Sequence, residues 1–300
     1  MMFLDTRPKA HFEKRQSRKP DLLNPALETC ENCGHRGLQV FIHSNSQQLL
    51  RCGQCNLYQK GLLESDSVYE DEYHDEYVRR QGSKTITAKI RLGAATRYLE
   101  TSQPRMLDIG CSVGATVRAA DELGWQASGV DISQSAVQFC RSQGLDCHKV
   151  DGTELPFTEA TFDLLTNWHV IEHVPDVLET LAEWRRVLKP GGIMMLETPN
   201  SRFLKARFLG PRYRKFWPGE HLYTFDRGNL TSLLNRAGFD VLPTRLIGNL
   251  DAIPPHLTDY ALAYRGYREL CRKLDLCKSV ELICRASQQS STSRPSKTAA

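Results

Sequence analysis

The stretch MLDIGCSVGATVRAADELG, Met106 to Gly124, constrains this chain more than any other. An apolar run ends at Asp108 and Ile109. Small residues then stand at Gly110, Ser112 and Gly114 before a helical pattern begins. The order reads as a strand, a tight turn and a helix. Glycine reaches left-handed backbone conformations that side chains disfavour, and its missing Cβ admits a close neighbour. Both properties suit a turn that holds a ligand beyond the carboxyl end of a strand.

The central chain continues the alternation. Strands are expected at 105–109, 127–130, 146–150, 162–166 and 193–197, and helices at 115–123, 134–142 and 177–188. The connections are short and rich in Gly, Pro and Asp. A further helix is expected at 229–237, followed by a strand in FDVLPTRLIG. The stretch VELICRAS reads as a last strand, antiparallel at the sheet edge. This pattern predicts an α/β fold: a doubly wound, mostly parallel, Rossmann-like sheet of seven strands.

The acids are placed for a nucleoside. Asp131 ends the second strand, seventeen residues after Gly114, where a carboxylate accepts both hydroxyls of a ribose. Asp151, followed by Gly152, ends the third strand at the height of an adenine amino group. A dinucleotide fits less well. Ser112 stands where the Gly-x-Gly-x-x-Gly/Ala pattern has its central glycine, and Asp108 would repel a pyrophosphate. A ligand that is cationic at one end and a nucleoside at the other meets these acids better, and S-adenosylmethionine is such a ligand.

The ten cysteines divide into two groups. Cys30, Cys33, Cys52 and Cys55 form two Cys-x-x-Cys pairs eighteen residues apart, between short strands in LQVFIHS and LLRC. Two such pairs present four thiolates to one tetrahedral zinc, so residues 26–62 are expected to form a zinc ribbon whose folding energy comes from the metal. A redox dithiol needs one pair, not two. His35 and His43 are alternative ligands. Four thiolates leave no open position for catalysis at the metal. The other six cysteines read as free thiols of a reducing compartment.

Outside these regions the sequence is plainer. The first twenty residues carry six Lys and Arg against two acids, and residues 1–25 and 287–300 read as disordered tails. Residues 63–100 read as a helical linker, with Tyr69, Tyr73 and Tyr77 on one helical face. No run of about eighteen apolar residues or signal-peptide core occurs, which predicts a cytoplasmic protein. The net charge of +4 does not by itself argue for nucleic acid.

The stretches LDIGCSVGATV, GVDIS, VDGTELPF, TFDLLTNWHVIEHVPD and LKPGGIMMLETPN resemble, in order and spacing, class I S-adenosylmethionine-dependent methyltransferases. The likeness runs from about Arg105 to Phe239, and the two Cys-x-x-Cys pairs resemble a subgroup with an added ribbon. The resemblance implies a methyltransferase domain over 101–286 with an acceptor-cover insertion near 200–225. It places Asp108, Gly110, Ser112 and Gly114 at the methionine end of the cofactor. It places Asp131 on the ribose, Ile132 against the adenine, and Asp151 and Gly152 at the adenine edge. Asn167 and His169 border the methyl group and the acceptor.

Methyl transfer to a hydroxyl profits from a base, and histidine suits neutral pH. His169, His173 and His221 are the candidates, with His173 also readable as structural. EHVPD resembles ubiquinone-pathway O-methyltransferases, some of which bind a divalent metal there through acids and a histidine. His169 stands where those place an acid, while Glu172 and His173 remain candidate ligands.

Arg202, Lys205, Arg207, Arg212, Arg214 and Lys215 fall within fourteen residues. They read either as a phosphate- or RNA-contacting segment or as an amphipathic cover with Phe203, Phe208 and Trp217 turned inward. Residues 257–274 read as a helix for packing or dimerisation. The leading expectation is O-methylation of a small-molecule acceptor such as a sugar, lipid or natural-product intermediate. The alternatives are an RNA methyltransferase that grips its substrate with the ribbon, and a scaffold with an inactive pocket.

Overall fold

The computed structural model describes residues 29–43, 48–61, 77–213, 216, 221–243, 270 and 273–287. The two tails, Tyr69, Tyr73, Arg214, Lys215, Trp217 and most of 257–274 lie outside them.

Three strands, β1 (Leu38–His43), β2 (Gln48–Cys52) and β3 (Tyr58–Lys60), carry the cysteine-bearing segment. Helix α1 (Gln81–Ala95) leads to β4 (Arg105–Ile109), α2 (Ala115–Asp121), β5 (Gln126–Asp131), α3 (Gln134–Ser142) and β6 (Cys147–Lys149). Then come β7 (Phe162–Trp168), α4 (Val177–Val187), β8 (Leu188–Pro199) and the short α5 (Leu204–Leu209). The chain continues through β9 (Tyr223–Thr224), α6 (Arg227–Arg236), β10 (Phe239–Val241) and β11 (Ser279–Ala286).

The main sheet has seven strands in the order β10-β11-β8-β7-β4-β5-β6. Strands β8, β7, β4, β5 and β6 are parallel, and β11 pairs antiparallel with both β8 and β10, so it alone runs against the others. The last strand is not at the edge, as its sequence suggested. It lies between β8 and β10, with Val280, Leu282 and Cys284 packed into one layer and Ile283 into the other, so five consecutive residues, Val280–Cys284, are buried: a strand covered on both faces shields neighbouring side chains alike.

Helices cover both faces. Leu107, Ile109, Leu165, Met194 and Leu196 pack with Leu181 and Trp184 of α4 and Leu230 and Leu233 of α6. Met106, Leu164, Ile193, Met195 and Ile283 pack with Ala88 and Leu92 of α1 and Ala119 and Ala120 of α2. The alternation along β4 and β8 sends neighbouring side chains to opposite layers. Helix starts follow side-chain caps. Ser133 accepts from the Ala136 N–H, Asp176 from that of Glu179, and Asp226 and Asn229 form a reciprocal capping box on α6.

The cysteine-bearing segment does not close on itself. Strands β1, β2, β3 and β9 form one four-stranded antiparallel sheet, so a strand from residues 223–224 completes the ribbon. One side of the segment, with Cys30, Cys52 and Leu57, joins the main core. Ile42 and Leu49 pack instead with Ala206 and Phe216 of the 200–225 region, with Phe41, Tyr58, Phe203 and Tyr213 around them.

Candidate active site

The loop between β4 and α2 has the backbone its sequence requires. Gly110 (φ +70°), Ser112 (φ +48°) and Gly114 (φ +73°) are all left-handed. The N–H groups of Gly110 and Cys111 donate to the Val130 carbonyl at 2.8 and 3.0 Å, tying the loop to β5. The space beside the glycines is closely packed. A Cβ at Gly110 would lie far inside contact with Val170 Cγ2, and one at Gly114 would sit 2.5 Å from Leu145 Cδ1 and 2.9 Å from Cys140 Sγ. The protein's own side chains fill the room a missing Cβ leaves at these two positions.

Asp108 precedes this loop on β4. It is 2 % exposed, beneath the loop, and accepts from the Thr166 hydroxyl at 2.6 Å. Burial lifts its carboxyl to about 7, against the Thr166 and Thr116 hydroxyls that favour the anion. It holds the loop from below through Thr166.

Asp131 ends β5 with one carboxylate oxygen accepting from the Ser112 N–H at 2.7 Å and the other from the Ser133 N–H at 2.8 Å. Burial raises its carboxyl and these two amides oppose the rise. The carboxylate therefore joins the glycine loop to the start of α3. Beside it, Ile132 is 53 % exposed, a large apolar side chain left bare at the carboxyl edge of the sheet. Beyond β6, Asp151 is exposed and paired with Lys149, and Gly152 (φ +130°) has open space where a Cβ would stand.

At the end of β7, Asn167 is 0 % exposed, and neither its amide nitrogen nor its oxygen has a protein partner. A buried polar group left unpaired costs about 1–3 kcal/mol. Its position, beside Ile109 of β4 and Leu196 of β8, is the carboxyl edge where the glycine loop begins. Asn167 lies at the same sheet edge as Asp131 and the bare Ile132, its amide enclosed by protein.

His169 (φ +59°) is bracketed by two acids. Its Nδ1 lies 3.2 Å from Glu172 Oε1 and its Nε2 3.5 Å from Glu197 Oε1. Burial opposes the charged ring, yet Glu172 and Glu197 carry its pKa up to about 9. Glu172 is fully buried and also accepts from the Thr198 hydroxyl at 2.9 Å. Glu197 is held down to about 2, against its burial, by His169 and the Arg91 guanidinium. Arg91 in turn lies over the Trp168 ring, 4.4 Å from its centroid. Sequence reasoning missed Arg91, Glu197 and Thr198. The available signal was an acid inside the apolar run IMMLETP, since a buried carboxylate requires a partner.

The other two histidines meet. The rings of His173 and His221 are 4.8 Å apart and nearly perpendicular. With Glu172 they place one ligand atom each within 4.8 Å of one another, but both Glu172 oxygens are already engaged by His169 and Thr198. The Leu222 and Tyr223 N–H groups donate to the Glu172 carbonyl at 2.7 and 3.1 Å, which brings His221 to this edge.

The four paired cysteines form one cluster, their sulfurs within 4.8 Å of one another. Cys30 and Cys55 sulfurs are 3.5 Å apart, and Cys33 and Cys52 sulfurs 3.6 Å. A tetrahedral zinc with bonds of about 2.3 Å needs sulfurs about 3.8 Å apart, so the set fits that ion. The two turns are alike. The Cys30 carbonyl accepts from Gly34 N–H and the Cys52 carbonyl from Asn56 N–H, while Cys30 and Cys52 donate to His35 and Leu57. Gly34 and Asn56 take the same left-handed conformation. His35 does not belong to the cluster, and the side chain of His43 lies outside what the structure describes.

Of the aromatics in the 200–225 region, Phe203 and Phe216 pack inward, but Phe208 is 82 % exposed, contrary to expectation. Its helix is a single turn and a half, and Ala206 is its only buried residue.

A family model described as a methyltransferase domain matches residues 77–244. An S-adenosylmethionine-dependent methyltransferase of Mycolicibacterium smegmatis is 30 % identical over 141 residues, 46 % of this chain and 53 % of that protein. A ubiquinone biosynthesis O-methyltransferase of Xanthomonas oryzae is 32 % identical over 118 residues, 37 % of this chain and 49 % of that protein. A demethylmenaquinone methyltransferase of Staphylococcus saprophyticus is 30 % identical over 171 residues, 48 % of this chain and 73 % of that protein. The chain thus spans about half the length of the first two relatives. A solved complex of the Haloferax volcanii Trm112 methyltransferase activator with a methyltransferase contains a chain of like fold. Its TM-score is 0.53 and its identity 18 %, over 73 % of this chain and 99 % of that one.

Proposed function

The chain belongs to the methyltransferase-domain family, and from that premise we propose that it methylates a small-molecule acceptor, on oxygen, using S-adenosylmethionine. The observation that carries this reading is Asp131. Its carboxylate is fixed by the Ser112 and Ser133 amides at the carboxyl ends of β4 and β5, beside the bare Ile132. A carboxylate retains acceptor sites after two hydrogen bonds, and these suit ribose hydroxyls. Ile132 offers an apolar contact to the adenine, and Asp151 and Gly152 border its edge. Asn167 supplies a donor and an acceptor at the methionine end.

S-adenosylmethionine supplies an electrophilic methyl group on a sulfonium, which leaves a neutral thioether once the methyl is taken. The protein's part is to align acceptor and methyl and to exclude water. In this reading His169 is not the base, since its two ring nitrogens face Glu172 at 3.2 Å and Glu197 at 3.5 Å, and these acids favour the charged ring. It serves as a fixed positive charge between Glu172 and Glu197. The base falls to the His173–His221 pair, whose second member comes from the 200–225 region. The relatives named for ubiquinone biosynthesis and demethylmenaquinone support a small-molecule acceptor.

The cysteine cluster, in this reading, holds one structural zinc. The test of function is a mass-spectrometric search of a metabolite extract incubated with protein and S-adenosylmethionine. The expected result is a product heavier by one methylene unit that is absent with His221→Ala. Methylated RNA, with no methylated metabolite, would overturn the small-molecule assignment.

A further inference from the structure

The cysteine cluster and the histidine edge are joined by one short strand. On one side of β9, Tyr58 and Gln59 of β3 pair with Thr224 and Tyr223, and the Lys60 N–H donates to the Leu222 carbonyl at 2.8 Å. On its other side, Leu222 and Tyr223 N–H groups reach the Glu172 carbonyl. The Tyr223 hydroxyl donates to the Glu31 carboxylate, inside the first cysteine turn, and approaches the Pro175 carbonyl at 3.0 Å. The second cysteine turn is tied to the same region. Asn229 donates from its side chain to the Cys55 carbonyl at 3.3 Å, and Asn32 donates to the Asn229 carbonyl at 3.1 Å. The ribbon's strands also supply Ile42, Leu49, Phe41 and Tyr58 to the cluster that holds Phe203, Ala206 and Phe216.

A two-residue strand does not hold itself in place. Nor does a ribbon of some thirty residues have a core that folds it without its metal. We infer that the four-thiolate centre is the positioning element of the acceptor side: with zinc bound, the ribbon fixes β9, His221 and the 203–216 cover. The glycine loop, Asp131 and the β4–β6 edge share the main apolar core with it but belong to a separate set of hydrogen bonds. Among the described residues their hydrogen bonds run to Gln81, Val130, Ser112, Ser133, Cys140 and Thr166, and none to a ribbon residue. Metal occupancy therefore governs the acceptor half and leaves the cofactor half intact. The inference rests on the zinc reading above.

The test is hydrogen exchange by mass spectrometry on the full chain, with zinc stoichiometry measured first. One zinc per chain is expected, and a chain without metal would refute the zinc reading itself. Zinc is then removed with a strong chelator. Peptides covering 58–60, 203–213 and 221–225 should exchange about tenfold faster or more, those of β4 and β5 should keep their protection, and S-adenosylmethionine affinity should change less than about threefold. Unchanged exchange at 221–225 after zinc loss would overturn the inference, as would equal loss of protection in β4 and β5. Tyr223→Phe gives a check that spares the metal ligands. It should speed exchange at 221–225 in the zinc-bound protein without releasing zinc, and no change there would count equally against the inference.

Discussion

Gly110→Ala separates two explanations of the glycine loop. The new Cβ must adopt a left-handed φ of +70° and must displace Val170 Cγ2. The first demand costs about 1–2 kcal/mol and the second, as overpacking in a tight site, about 1–3 kcal/mol. The expected loss is about 2–5 kcal/mol in urea unfolding, or about 2–4 °C of Tm for each kcal/mol in a domain of this size. The double variant Gly110→Ala/Val170→Ala removes the steric part and leaves the backbone part. It should therefore recover about 1–3 kcal/mol relative to the sum of the single variants. Unfolding curves and titration calorimetry with S-adenosylmethionine would be run on all four proteins. Additive stabilities, together with selective loss of cofactor binding in Gly110→Ala, would refute the packing argument and restore a ligand-facing role for the missing side chain.

Three further outcomes follow from the charges. The His169 ring is raised from 6.5 to about 9 by its two acids. A raised cation stabilises the fold fully below the lower value, and this stabilisation fades as pH rises through the higher one. Urea unfolding between pH 6 and 10 should show wild type losing stability relative to His169→Gln above pH 6.5, and parallel curves would contradict the ion pair. Glu197→Gln leaves Arg91 and His169 short of a buried counter-charge, with an expected cost of about 3–5 kcal/mol; a loss below about 1 kcal/mol would show the network to be solvent-screened. In the same variant the His169 pKa, followed by NMR, should fall, and an unmoved titration would show that Glu172 alone sets it.

Much of the fold was legible because short apolar runs stand between Gly, Pro and Asp. Strand β4 and helix α3 begin and end where the pattern places them. Strand β8 runs to twelve residues because LKPGG, which reads as a turn, continues the pairing at Leu188. The site was legible as a set of positions but less so as a set of roles. Left-handed glycines follow from local sequence, whereas Val170 and Leu145 fill the space beside them through tertiary contacts that no periodicity encodes. Asp108 lies on a strand interior, and only the position of Thr166 on β7 explains its burial. The pairing of β3 with β9 joins residues more than 160 positions apart through a two-residue strand, too short to leave a pattern. Arg91 and Glu197 are likewise separated by 106 positions.

The claim on which the functional account depends is that the edge formed by Asp131, Ile132 and Asn167 binds S-adenosylmethionine. Titration calorimetry of the full chain with that compound tests it directly. The account predicts one site per chain, weakened about tenfold to a hundredfold in Asp131→Ala through loss of hydrogen bonds to a charged acceptor. No binding heat from a folded wild-type protein, or equal affinity in Asp131→Ala, would contradict it.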